Sequence, residues 1–114
     1  MTGHRDLAAG RWQALGVVEQ MANVGSEVAR TLRSRRSGNR ERSQRAFERA
    51  LELFDLSSAD PRWRGPRLRE IRRAREEFCR LHLGDEEDRS WDGFEKYFLA
   101  FAVAARHPRR EAPG

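Results

Sequence analysis

The sequence predicts an all-α protein, a four-helix up-down-up-down bundle in a single domain over residues 1–114. Three observations point there. Apolar residues recur at steps of three and four in four successive segments. No stretch shows the alternation of a strand. The links are short and marked by Gly, Pro, Ser or Asn. The expected helices span about 8–32, 40–56, 66–83 and 91–107, with a loose polar tail at 108–114.

The first helix follows the polar segment Met1 to Leu7 and begins near Ala8 or Arg11. Its stripe is Leu15, Val18, Ala22, Gly25, Ala29 and Leu32, with Val17, Met21, Val24 and Val28 beside it. Gln13, Glu19, Gln20, Asn23, Ser26, Glu27 and Arg30 form the polar half. Glycine inside a helix costs about 1 kcal/mol, so Gly25 implies close approach of a neighbour.

Arg33 to Arg40 contains Ser, Gly and Asn and reads as a loop, with Asn39 placed to cap the second helix. That helix presents Phe47, Ala50, Leu51 and Phe54 to a core, flanked by Ala46 and Leu53. Glu41, Glu48, Glu52 and Asp55 make one exposed stripe, and Arg42, Arg45 and Arg49 a second. Ser57 to Gly65 is a connector broken by Asp60-Pro61, and Trp63 in it suits a lid over one end of the bundle.

Pro66 fits the first turn of the third helix. Leu68, Ile71, Phe78 and Leu81 supply its apolar residues, and Gly84 is expected to end it in the left-handed conformation. Asp85 to Asp88 forms an acidic loop. The fourth helix is the most apolar, with an unbroken run from Tyr97 to Ala105. Ser90 is its expected cap, and His107 with Pro108 its expected end. Such a run is too short to span a membrane, which needs about twenty apolar residues. It is expected to be covered nearly all round, either in the centre of the bundle or at an oligomer interface carried by Phe98, Leu99, Phe101 and Val103.

Composition bounds the function. Net charge is +5, the pI about 10.8, and 22 of the 23 basic residues other than histidine are arginine. That balance favours anionic partners; a GC-rich genome would produce the same arginine bias. Arg33, Arg35, Arg36, Arg40, Arg42, Arg45 and Arg49 cluster around the first loop and second helix, and Arg69, Arg73 and Arg80 line the third. Arginine suits bidentate phosphate contact. Trp12 and Trp63 are the aromatics left for base stacking, so contact with RNA or DNA is expected to be backbone-directed. One cysteine, Cys79, excludes an internal disulfide, and no signal-peptide core opens the chain. A cytoplasmic protein is expected, without metal, cofactor or membrane partner. His4, His82 and His107 lack metal-ligand spacing.

On the third helix, Arg75 and His82 resemble the Arg-x4–6-His pattern of HEPN ribonucleases, small helical bundles that pair such residues at a dimer cleft. The resemblance implies RNA cleavage by Arg75 and His82. Glu76 stands where that family usually carries Asn, and the alternative has Arg75 paired with a carboxylate and His82 capping the bundle end.

Leu15 to Arg30, Ala46 to Arg64 (with Ala59-Asp60-Pro61-Arg62-Trp63) and Tyr97 to Arg106 resemble small bacterial helical-bundle proteins of no assigned activity. In size, charge and layout the chain is similar to the four-helix accessory proteins of diversity-generating retroelements. That likeness implies a basic oligomer that binds a reverse transcriptase and nucleic acid. The expectation is therefore a non-enzymatic accessory protein contacting nucleic-acid backbone or a ribonucleoprotein partner. A HEPN-type ribonuclease and a pure protein–protein adaptor are the alternatives.

Overall fold

Isolated amphipathic helices are marginal in water, so each segment needs a partner for its apolar face. The computed structural model shows how they find one, and describes residues 10–84 and 88–106, excepting the side chains of 88–90. The described residues are all helical apart from turns, with no strand. A helical turn, α1, covers 10–13. It is followed by α2 (Val17–Arg36), α3 (Arg40–Ser58), α4 (Pro66–Leu83) and α5 (Asp88–Arg106). None of these helices is long and apolar enough to cross a membrane. His4, the stop at His107-Pro108, the tail at 108–114 and most of the acidic loop lie outside the described residues.

The first expected helix is two. The chain leaves helical geometry at Ala14 to Gly16 and re-enters at Val17. Gly16 is extended, and its N–H donates to Glu19 Oε1 at 3.0 Å, which starts α2 afresh. The break takes the carbonyls of Gln13 and Leu15 out of the helical ladder, and Arg62 donates to both; the Trp12 carbonyl accepts from the Leu15 N–H and from Gln20. At the other end, Arg33 to Arg36 belong to α2 and not to a loop. Gly38, at φ 78°, supplies the left-handed residue of the tight link to α3. The Asn39 side chain then accepts the Arg42 N–H at 3.0 Å.

Gly84 is extended, not left-handed. A left-handed cap satisfies the last carbonyls of a helix; here the Arg35 guanidinium does so, donating to His82 O at 3.2 Å and Gly84 O at 3.1 Å. Ser90 is no cap either, because α5 already begins at Asp88.

Helix α2 packs against both α3 and α5, while α4 lies against α3 and, more lightly, α5. Thr31 O accepts from Ser43 Oγ and Glu27 pairs with Arg49, so α2 and α3 run in opposite directions. The same reversal joins α4 to α3 through Phe47–His82 and Asp55–Arg75. Phe78 sits at the centre of an aromatic core, with ring centroids 5.1 Å from Phe47, 5.9 Å from Phe54, 6.1 Å from Trp91 and 6.0 Å from Phe94.

The two seams of α2 differ in chemistry. Toward α5 it offers Ala22, Gly25 and Ala29, and a Cβ built on Gly25 would lie 2.8 Å from Phe98 Cβ. Toward α3 it offers Gln20, Glu27 and Thr31, all buried and all expected on a solvated face or left unassigned. Val18, placed in the expected stripe, is 37% exposed.

Helix α5 buries one side only. Trp91, Phe94 and Phe98 are buried and Phe101 is half-buried. Leu99 and Val103 are 59% and 48% exposed, and Ala100 and Ala104 are exposed beside them. Of the two expected routes, burial in the centre of the bundle is therefore corrected: this chain covers one side of the run only. Phe98 is corrected too: it belongs to the chain's own core, not to an outer surface.

Gly25→Ala gains about 1 kcal/mol of helix propensity. It also forces α2 from α5 at a Cβ held by the backbone of Phe98, where overpacking costs about 1–3 kcal/mol. A lower denaturation midpoint is expected, and a raised midpoint would contradict the close approach.

Candidate nucleic-acid interface

One groove gathers the charge. Along α2 and its cap, Glu27, Arg30, Arg33, Ser34 and the cap residue Ser37 fall at helical spacing on one side, and along α3 Arg42, Arg45, Ala46 and Arg49 do the same. Ser34 and Ala46, each 5% exposed, form a floor of small residues. The long arginines stand on both rims of a groove of about 630 Å³.

Its lining holds five guanidiniums and one carboxylate. Glu27 is 8% exposed. Its Oε2 lies 2.9 Å from Arg30 Nη1 and 3.6 Å from Arg49 Nε. Arg45 lies 3.9 Å from Glu41, a solvent-washed pair worth well under about 1 kcal/mol. Among the described residues neither Arg33 nor Arg42 meets a carboxylate. Arg40 and Arg42 also sit at the start of α3, where the helix dipole disfavours cations. Glu41 shares that turn and Arg33 lies in the last turn of α2, where the dipole favours a cation, so the excess of guanidiniums sets a positive potential at this end of the groove.

Of the arginines singled out in the sequence, Arg33, Arg42, Arg45 and Arg49 come together here. Arg30 was placed on the polar half of its helix; its spacing of three from Arg33 was the available signal. The remainder disperse. Arg35 is a strap, bonded to the end of α4 with its guanidinium carbon 5.7 Å from the centroid of the Trp91 ring. Arg36 pairs with Asp92 at 2.9 Å, and Arg80 with Glu77 at 2.6 Å. Arg40 and Arg69 are exposed outside the groove. Arg73 shares a hollow with Glu70, Glu77 and Tyr97, so that side of α4 is of mixed charge. The Tyr97 hydroxyl there is pushed up to about 12 by burial and by Glu70.

Trp12 and Trp63, reserved for base stacking, are 7% and 6% exposed and serve the core. They belong to a closed hydrogen-bond network that sequence reasoning missed. Its hub is the fully buried Gln20 amide. Nε2 donates to Trp12 O at 3.1 Å and Asp60 Oδ2 at 2.7 Å. Oε1 accepts from Ser57 Oγ at 2.9 Å and Trp63 Nε1 at 2.8 Å. Trp12 Nε1 donates to Ser57 Oγ at 3.0 Å, closing the circuit. Arg62 clasps Asp60 from the solvent side, and its guanidinium holds that carboxyl at about 2, below the ordinary 3.8. Every polar group of the Gln20 amide is occupied within the chain, so the network is a structural clamp.

Arg75 and His82 engage separate partners. Arg75 Nε donates to Asp55 Oδ1 at 2.9 Å. The His82 ring stacks on Phe47 at 3.9 Å, and its Nε2 is 3.0 Å from Gln44 Oε1. Burial, then the nearby Arg35 charge, lowers the His82 pKa from 6.5. The folded state thus holds His82 neutral, and the unfolded chain takes up the proton first. Stability is expected to fall as the pH drops through about 6.5 toward the depressed folded value. Denaturation midpoints at pH 7.5 and 5.5 should differ in wild type and converge in His82→Gln; an unchanged difference would assign it to other groups.

No protein-family model matches the chain, and no match was found to a curated protein or to a solved structure.

Proposed function

We propose that this protein is a non-enzymatic accessory module that grips the sugar–phosphate backbone of RNA or DNA through the α2–α3 groove. One observation carries the reading. Five arginines from two helices converge on a single groove against one carboxylate, and two of them lack an acidic partner among the described residues. Guanidinium pairs suit phosphate. No aromatic side chain lines the groove, so recognition follows the backbone and not the bases.

In this reading α2 to α5 form an up-down-up-down four-helix bundle, supported by the opposed directions in which neighbouring helices meet. The protein works in the cytoplasm beside a protein partner or further copies of itself. Leu99 and Val103, exposed on α5, favour a contact of that second kind.

A labelled random-sequence oligonucleotide at 50 mM salt tests the proposal. Wild type binds, and affinity falls steeply with added salt as phosphate contacts release counterions. Arg33→Gln with Arg42→Gln binds at least tenfold more weakly while its helical content and melting temperature stay unchanged. Failure of wild type to bind at 50 mM salt, or equal binding by the double variant, overturns the proposal.

A further inference from the structure

We infer that the α2–α3 groove takes one polynucleotide strand, not a duplex, and that Glu27 acts as a built-in counter-anion limiting how many of its phosphates are held. The inference rests on the nucleic-acid reading above and deepens it.

The width argues for one strand. Helices packed in contact have axes about 8–10 Å apart, and the small floor residues Ser34 and Ala46 permit that approach. A single backbone lies between the rims at this spacing. A duplex is wider and touches only the tips of the arginines.

The length argues for a short footprint. Because α2 and α3 run in opposite directions, Arg33 stands across from Arg42, Arg30 from Arg45, and Glu27 from Arg49. Successive levels are about one helical turn apart, near 5 Å, somewhat less than the separation of neighbouring phosphates along a strand, a difference that long arginine side chains can span. The groove thus offers three levels. The first has two guanidiniums without a carboxylate. The second has Arg45 and the outer side of Arg30, which is 56% exposed. The third is already filled, because the buried Glu27 carboxylate sits on Arg49 and Arg30. A phosphate placed there would face a fixed negative charge. Two phosphates fit the native groove, and neutralising Glu27 opens a third place.

The test uses the full-length chain, a fluorescein-labelled dT12, the matching U12, and a 12-base-pair duplex, titrated by anisotropy between 50 and 300 mM salt. Wild type is expected to bind the single strands at least tenfold more tightly than the duplex. For a single strand the logarithm of affinity falls against that of salt with a slope of about −0.7 per phosphate held. Glu27→Gln is therefore expected to steepen the slope by about 0.7. Adding Arg49→Gln to it removes the steepening and leaves Arg30 of the second level in place. Duplex binding equal to or tighter than single-strand binding overturns the strand assignment. Steepening that survives without Arg49 is a net-charge effect and overturns the role of Glu27. Absence of any binding by wild type at 50 mM salt overturns this inference together with the proposal beneath it. Loss of binding in Arg33→Gln with Arg42→Gln, alongside an unchanged Glu27→Gln slope, leaves the proposal standing and removes only the inference. dT12 and U12 separate DNA from RNA as the preferred strand.

Discussion

Gln20→Leu is expected to destabilise the protein by about 2–4 kcal/mol, as the buried Trp63 indole N–H loses its acceptor and Ser57, Asp60 and Trp12 each lose one bond. The replacement is close in volume, so the loss is one of hydrogen bonding. The Trp63 indole N–H is left without an acceptor, while Asp60 Oδ2 keeps Arg62 and the Trp12 carbonyl keeps the Leu15 N–H as each loses one bond. Stranding a buried donor or acceptor costs about 1–3 kcal/mol each. The Ser57 hydroxyl can turn elsewhere but still receives Trp12. Chemical denaturation followed by tryptophan fluorescence reads the effect directly, because Trp12 and Trp63 report on the clamp. A loss below about 1 kcal/mol, near the net worth of one ordinary hydrogen bond, would mean that the four bonds do not act together.

The second large effect falls in the aromatic core. Phe78→Ala removes the ring that four others share, at a site with no exposure. Phe→Ala in a core costs about 3–5 kcal/mol, from lost transfer and the cavity left behind. The neighbours come from α3 and α5, so the space cannot close by a shift of one helix. Leu83→Ala, one and a half turns further along the same helix and 75% exposed, is the control. Its stability is expected to stay within about 0.5 kcal/mol of wild type, as for surface positions generally. A similar loss in both variants would show that the core is not centred on Phe78.

Much of the local structure was legible because its causes are local. Asn39 bonds to a backbone N–H three residues away. Pro66 begins α4 because its ring pre-sets the helical φ. Phe47, Ala50 and Phe54 share one side of α3 by spacing alone, and Gly25 marked a close approach by its cost to the helix. The clamp was not legible in the same way. Gln20 looks like any polar residue on an outer face until Ser57, Asp60 and Trp63 arrive from about forty residues away. Gly16 followed by Glu19 was a local sign of a helix start, yet the apolar repeat runs through it from Leu15 to Val18 and hides the break.

The arginines show the same division. Their number and rough clustering lie in the sequence. Which of them converge depends on how α2 and α3 face each other. Arg33 and Arg35 are two residues apart and, at about 100° per residue, point to different sides. One lines the groove and the other straps the end of α4.

By itself, the amino-acid order determined that the described chain is helical, where most of the helices start and turn, and that the surface carries an excess of arginine. Those properties follow from short-range spacing, capping and composition. Only the tertiary structure decided which polar groups are buried, which half of α5 stays uncovered and which arginines share a groove. Each of those depends on the rotation of one helix against another, which is set by contacts between residues far apart in the chain.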